Sequence, residues 1–190
     1  TRVTGAGKTN TALGFFAHKI NDNPDYRGIC VVPKGRAGQW HEELEKFSNL
    51  NSVLIPDNTT KEEVDRILAN VDKGTIVMIG HREASRSHET LQALQTDETL
   101  DGKFDGIVID EPQELQSRGG SGKIGAQGKR LMNVPVNHRI GLTATPARRV
   151  PTEAYDLIKW TQGSTKELGP RTQFDRTFKG FGSGVNAQDT

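Results

Sequence analysis

The chain is short of cysteine, of net charge and of long apolar runs, and each shortage removes a class of protein. One cysteine, Cys30, in 190 residues excludes a disulfide framework, and its place in the apolar run Gly28–Val32 makes it a core residue. The formal net charge is only +1. No general field therefore draws the chain to a polyanion, and nucleic-acid contact must come from local groups. No apolar run approaches the roughly 20 residues of a membrane-spanning helix, and no signal peptide is visible. The expectation is an intracellular protein, cytoplasmic or nuclear, without membrane contact. The histidines His18, His41, His81, His88 and His138 lack zinc spacing, so metal binding through them is not expected. There is no internal repeat.

What is present suits one globular domain of 190 residues with a sizeable core. Five short apolar runs read as buried parallel strands: Gly28–Val32, Ser52–Ile55, Thr75–Ile79, Gly106–Ile109 and Arg139–Thr143. Helical patterns lie between most of them. Thr9–Ile20 is one. Trp40, Leu44 and Phe47 at i, i+4, i+7 mark a second. Val64, Ile67, Leu68 and Val71 form the face of a third, with Thr60 as cap and Glu63 three residues on. Leu91 and Leu94 sit in a weaker helix. Lys123–Met132 and Thr152–Trp160 complete the series, the last with Ala154, Leu157 and Ile158. Strand–helix alternation predicts an α/β fold, a parallel sheet flanked by helices, with ligands at the carboxyl ends of the strands. Residues 1–179 are expected to form this domain and 180–190, rich in Gly, Ser and Asn, a tail or the start of a linker.

The chemistry begins at the first residues. Thr4-Gly5-Ala6-Gly7-Lys8-Thr9 reads as a phosphate-binding loop opening a helix. Its glycines let backbone N–H groups approach phosphate oxygens, Lys8 reaches the β- and γ-phosphates, and the Thr9 hydroxyl suits Mg²⁺. From Asn10 the helix supplies an N-terminus that favours an anion. Such a loop normally follows a buried strand and the chain starts inside it, so a longer protein is expected. A second element supports the loop. The strand Ile107-Val108-Ile109 ends in Asp110-Glu111, and in nucleotide hydrolases a first acid serves the Mg²⁺ shell while a second polarises the attacking water. Solvated acids at a strand end are the alternative. Gly120-Ser121-Gly122-Lys123 resembles a second loop, but Ile124 stands where Ser or Thr must bind Mg²⁺ and no strand precedes it.

In order along the chain, Thr4–Thr9, Asp110-Glu111-Pro112-Gln113 and Leu142-Thr143-Ala144-Thr145-Pro146 resemble motifs I, II and III of superfamily-two helicases and translocases. Val31-Val32-Pro33 with Gln39-Trp40-His41-Glu42-Glu43-Leu44 and Phe47 resembles motif Ia of the Swi/Snf-type ATPase branch. Thr152–Leu157 with Phe174 and Phe178 resembles the continuation after motif III. The resemblance implies a RecA-like first motor domain that binds ATP and Mg²⁺. It places Thr4–Asn10 on the nucleotide, Thr9 and Asp110 on the metal, Glu111 as base, and Gln113 where a coupling residue stands. Thr143 and Thr145 would link nucleotide state to DNA. Lys34, Arg36, Arg82, Arg86, Arg148 and Arg149 follow strands, where phosphate contact competes with solvated loop charge as the reading. The implied partners are DNA, expected as a duplex, and a second RecA-like domain of the same chain carrying the arginine finger. Three functions stay open: a DNA-stimulated translocase, which the motifs favour; a strand-separating helicase or restriction-system motor; and a non-catalytic nucleic-acid-binding module.

Overall fold

The computed structural model describes residues 7–99, 103–115, 125–144, 154–162 and 168–178. The elements run α1 (Lys8–Asp22), β1 (Gly28–Val32), α2 (Ala37–Phe47), β2 (Asn51–Leu54), α3 (Lys61–Ala69), β3 (Thr75–Gly80), α4 (His81–Arg86), α5 (His88–Thr96), β4 (Gly106–Asp110), a 3-10 turn (Pro112–Leu115), α6 (Ala126–Met132), β5 (His138–Leu142), α7 (Tyr155–Gln162) and α8 (Arg171–Phe178). All five strands are parallel, in the order β2-β3-β1-β4-β5. The α/β class follows directly from the sequence: five apolar runs became five strands.

The period-2 alternation of a strand sends neighbouring side chains to opposite faces, and the core divides accordingly. Ile29, Val31, Val77, Ile79, Ile107 and Ile109 pack with α3, α5, α6 and Trp160 of α7. Cys30, Val32, Ile76, Met78 and Val108 pack with Ala12, Leu13 and Phe16 of α1 and with Trp40 and Leu44 of α2. β1, β3 and β4 are buried throughout, which is why they read as continuous apolar runs. Phe16 lies so close to β1 that a Cβ on Gly28 would stand 2.3 Å from its ring.

Register decides what reaches the functional end. Val31 aligns with both Ile79 and Ile109, and Asp110 with Leu142. The polar clusters after β1, β3, β4 and β5 therefore share one edge of the sheet. β1 lies between β3 and β4, so the β1–β2 and β3–β4 connections run in opposite directions across the sheet, the arrangement that favours a ligand site at the carboxyl edge.

Several expectations change in detail. β2 and β5 each begin and end one residue earlier than the apolar runs suggest. Phe47, the third member of the α2 stripe, is 64% exposed, because it is the last residue of the helix and lies past the sheet. Val71 is buried but follows the end of α3. In α7 the core contacts come from Tyr155, Leu157 and Trp160, while Ala154 and Ile158 are half-buried. Helix α4 has no apolar stripe to announce it, since it buries His81, Glu83, Ala84 and Ser85. Thr60 caps α3 by accepting the Glu63 N–H. Glu63 does not complete a capping box; its carboxylate takes two hydrogen bonds from Arg66. Residues 180–190, the second glycine-rich loop and the end of the first domain lie outside the described residues.

Candidate nucleotide site

Gly7 precedes α1 with φ 82°, a left-handed conformation that favours glycine. Its carbonyl accepts both the Thr11 N–H and the Thr11 hydroxyl, each at 2.8 Å, which pins the first turn. Lys8, Thr9 and Asn10 form that turn. The N-terminus of α1 thus faces the carboxyl end of β4, and Lys8 reaches both acids there. Its ammonium hydrogen-bonds Glu111 Oε1 and lies 3.6 Å from Asp110 Oδ1. Lys8 and Glu111 are 103 positions apart in the chain, so the pairing is a product of the fold.

Glu111 stands just past β4 with φ 49°. Along a strand Asp110 and Glu111 would point to opposite faces. The left-handed residue breaks that alternation and lets both carboxylates meet Lys8. Glu111 Oε2 accepts from Gln113 Nε2 and from the Thr143 hydroxyl at 3.2 Å. Three residues expected to act together, Glu111, Gln113 and Thr143, are therefore in direct contact.

The two acids have different electrostatic environments. Burial pushes the Asp110 carboxyl above the usual carboxylate range; Lys8 opposes this, the Glu111 charge adds to it, and Arg36 opposes it from further off. For Glu111 burial acts in the same upward sense but is outweighed by hydrogen bonds from Lys8, Gln113 and Thr143, and the group is held low. Burial opposes the charge on Lys8 too, yet the two carboxylates prevail and raise its pKa. Asp110 Oδ1 is a buried oxygen with no hydrogen bond among the described residues. Its near neighbour is the Lys8 ammonium, and a hard carboxylate oxygen of this kind is a donor that suits Mg²⁺.

The expected nucleic-acid residues surround this site unevenly. Lys34 and Arg36 are exposed on the turn between β1 and α2. That turn is fixed by Gly35, at φ 78°, whose N–H donates to Asp57 Oδ2 at 2.7 Å. Arg82 is exposed in the first turn of α4. Thr4, Gly5, Ala6, Thr145, Arg148 and Arg149 lie outside the described residues. His81, to which the absence of zinc spacing gives no role in the sequence, is buried, and its Nε2 donates to the Asp110 carbonyl at 2.8 Å. Its one sequence signal is its position directly after a strand that ends at the functional edge.

A helix opening at Gly7 opposite a strand that ends in two acids, on an all-parallel sheet flanked by helices, fits a RecA-like architecture. Residues 1–148 match the family described as "Type III restriction enzyme, res subunit" (ResIII), and the chain belongs to that family. It is 28% identical over 155 residues to "ATP-dependent helicase fft1" of Schizosaccharomyces pombe, covering 81% of this chain and 15% of that protein. It is 24% identical over 197 residues to "Protein CHROMATIN REMODELING 24" of Arabidopsis thaliana, covering 97% of this chain and 17% of that protein. The chain thus spans about a sixth of these relatives. The fold is similar to the Sulfolobus solfataricus SWI2/SNF2 ATPase core solved with dsDNA, with TM-score 0.63, 19% identity, and coverage of 92% of this chain and 33% of that one. These matches support the resemblance to Swi/Snf-type superfamily-two motor domains. No described helix is long and apolar enough to cross a membrane.

Proposed function

We propose that the chain is the ATP-binding half of a DNA-dependent ATPase that moves on nucleic acid, with residues up to 179 forming one RecA-like unit. The observation that carries the reading is the meeting of Lys8 with Asp110 and Glu111, with Thr143 on the same carboxylate. Names given to the relatives, an ATP-dependent helicase and a chromatin-remodelling protein, agree with it.

In this reading Thr4–Asn10 cradle the nucleotide phosphates, and Lys8 leaves Glu111 for their β- and γ-oxygens. Thr9 and Asp110 hold Mg²⁺, which when bound neutralises phosphate charge. Departure of the lysine frees Glu111 Oε1 and relaxes one of the bonds that hold its carboxyl low, so the group becomes a stronger base as substrate arrives. Water then attacks the γ-phosphorus, its proton passes to Glu111, and the bond to the β–γ bridging oxygen breaks. Gln113 and Thr143 keep the carboxylate oriented, and Thr145 extends the link towards DNA. An arginine finger from a second RecA-like domain would stabilise the transition state. Lys34, Arg36, Arg82, Arg148 and Arg149 contact DNA phosphates, expected on a duplex. The deciding experiment is Mg-ATP titration and duplex-stimulated turnover of the full-length protein and its Glu111→Gln variant. Absence of nucleotide binding would leave the non-catalytic reading.

A restriction-system motor is the second reading, favoured by the description of the matching family. It shares this half of the chemistry, and cleavage of DNA by the full-length protein would distinguish it.

A further inference from the structure

The peptide unit joining Asp110 to Glu111 is gripped at both ends. Its N–H, on Glu111, donates to the Leu142 carbonyl at 2.7 Å. Its oxygen, on Asp110, accepts from His81 Nε2 at 2.8 Å. The grips come from opposite sides. Leu142 closes β5, the neighbour of β4, whereas His81 opens α4 directly after β3, two strands away from β4. Pairing between β1 and β4 ends at Val31 and Ile109, one residue short of Asp110, and the imidazole takes over there. A carbonyl only accepts, so Nε2 carries the proton. The orientation of this peptide fixes where the Glu111 carboxylate hangs, and Glu111 has a left-handed φ of 49° that must be held by its surroundings.

The residue after His81 is Arg82, exposed at the same edge of the sheet. We infer that His81 is a positioning residue that couples phosphate occupancy at Arg82 to the orientation of the Glu111 carboxylate. A DNA phosphate drawn to Arg82 acts on the first turn of α4, and the His81 N–H passes that displacement to the Asp110–Glu111 peptide. Leu142, next to Thr143, holds the other end, so the acid is set jointly by the two segments flanking β4. This inference rests on the ATPase reading above.

The test uses the full-length protein with saturating duplex DNA. His81→Phe keeps a ring but removes the donor. DNA-stimulated kcat should fall tenfold or more, while the KM for ATP and the Kd for DNA stay within about twofold. His81→Gln restores an N–H donor and should recover at least a third of wild-type kcat. Arg82→Ala, at an exposed side chain that leaves the core untouched, should lower stimulation by itself. Combined with His81→Phe it should add nothing, as expected of two residues on one path. Wild-type stimulation in His81→Phe, equal losses in the Phe and Gln variants, or unaltered stimulation in Arg82→Ala would each overturn the coupling. Should His81→Phe fail to fold, the Gln and Arg82→Ala variants decide. A wild-type protein that hydrolyses no ATP would instead remove the ATPase reading, and this inference with it.

Discussion

Replacing Lys8 by alanine separates a ligand-binding residue from a structural one. Lys8 sits between two carboxylates, and its side chain retains 32% of its exposure. An ion pair this accessible contributes about 0–1 kcal/mol to folding. Its removal also takes the counter-charge from Asp110 and Glu111, which raises both carboxyl pKa values and costs some stability at neutral pH, a cost that proton uptake by either acid caps. Against bound nucleotide the same ammonium makes hydrogen bonds to charged phosphate oxygens, worth about 1.5–3 kcal/mol, or roughly ten- to a hundredfold in affinity. Lys8→Ala should therefore weaken Mg-ATP binding at least tenfold and change the unfolding free energy by less than about 1 kcal/mol. Calorimetric titration measures the first and chemical denaturation the second. Equal nucleotide affinity in both proteins would refute the phosphate-loop assignment. A stability loss of several kcal/mol with little change in affinity would show that Lys8 is a strut for the acids.

Further outcomes follow from the same geometry. Glu111→Gln removes the partner that competes with phosphate for Lys8, so ATP affinity should be no weaker than wild type, while turnover by the full-length protein falls by about 10²-fold or more; undiminished turnover would assign the base elsewhere. Removing both Lys34 and Arg36 should flatten the dependence of log K on log salt by about one unit for each DNA phosphate no longer neutralised, equally on two unrelated duplexes; an unchanged slope would make them solvated loop charge. Gly28→Ala drives a Cβ into the fully buried Phe16 ring and should destabilise the fold by about 1–3 kcal/mol, read from the denaturation midpoint. Burial pushes the Cys30 thiol well above its usual pKa, so alkylation at neutral pH should be negligible in the native protein and rapid on unfolding; prompt labelling of the native state would contradict the placement of β1.

The sequence carried the sheet because buried parallel strands are apolar on both faces and stand out as uninterrupted runs. It singled out Lys8, Asp110, Glu111 and Thr143, which the fold brings into one cluster, because motif chemistry fixes residue types at short spacings. It did not carry α4, whose buried side chains are largely polar, or the exposure of Phe47, which depends on where a helix ends relative to a sheet. The closing of Lys8 onto Glu111 was also invisible, since no local pattern records a pairing across 103 positions. His81 was missed for a related reason. Its function is expressed through a backbone carbonyl of another strand, and backbone partners leave no trace in residue identity. Arg36, read only as a loop cation, also acts on Asp110 through its charge.

Two adjacent acids could serve different roles only if their environments diverged, and one backbone angle arranges this. Asp110 is the last residue of β4, so its carboxylate remains against the sheet, where burial favours its neutral form. In the proposed ATPase reading a metal cation at Oδ1 would relieve that penalty. Glu111 has left the strand at φ 49°, and its carboxylate turns back towards Lys8, Gln113 and Thr143, whose hydrogen bonds keep it ionised. The division of labour thus depends on β4 ending between the two residues. One more residue of regular strand would send Glu111 to the opposite face, away from Lys8 and Thr143, with the dipeptide unchanged. On the ATPase reading proposed above, a strand-to-turn boundary at that peptide, clamped by His81 and Leu142, gives neighbouring carboxylates the different settings that a metal ligand and a base require.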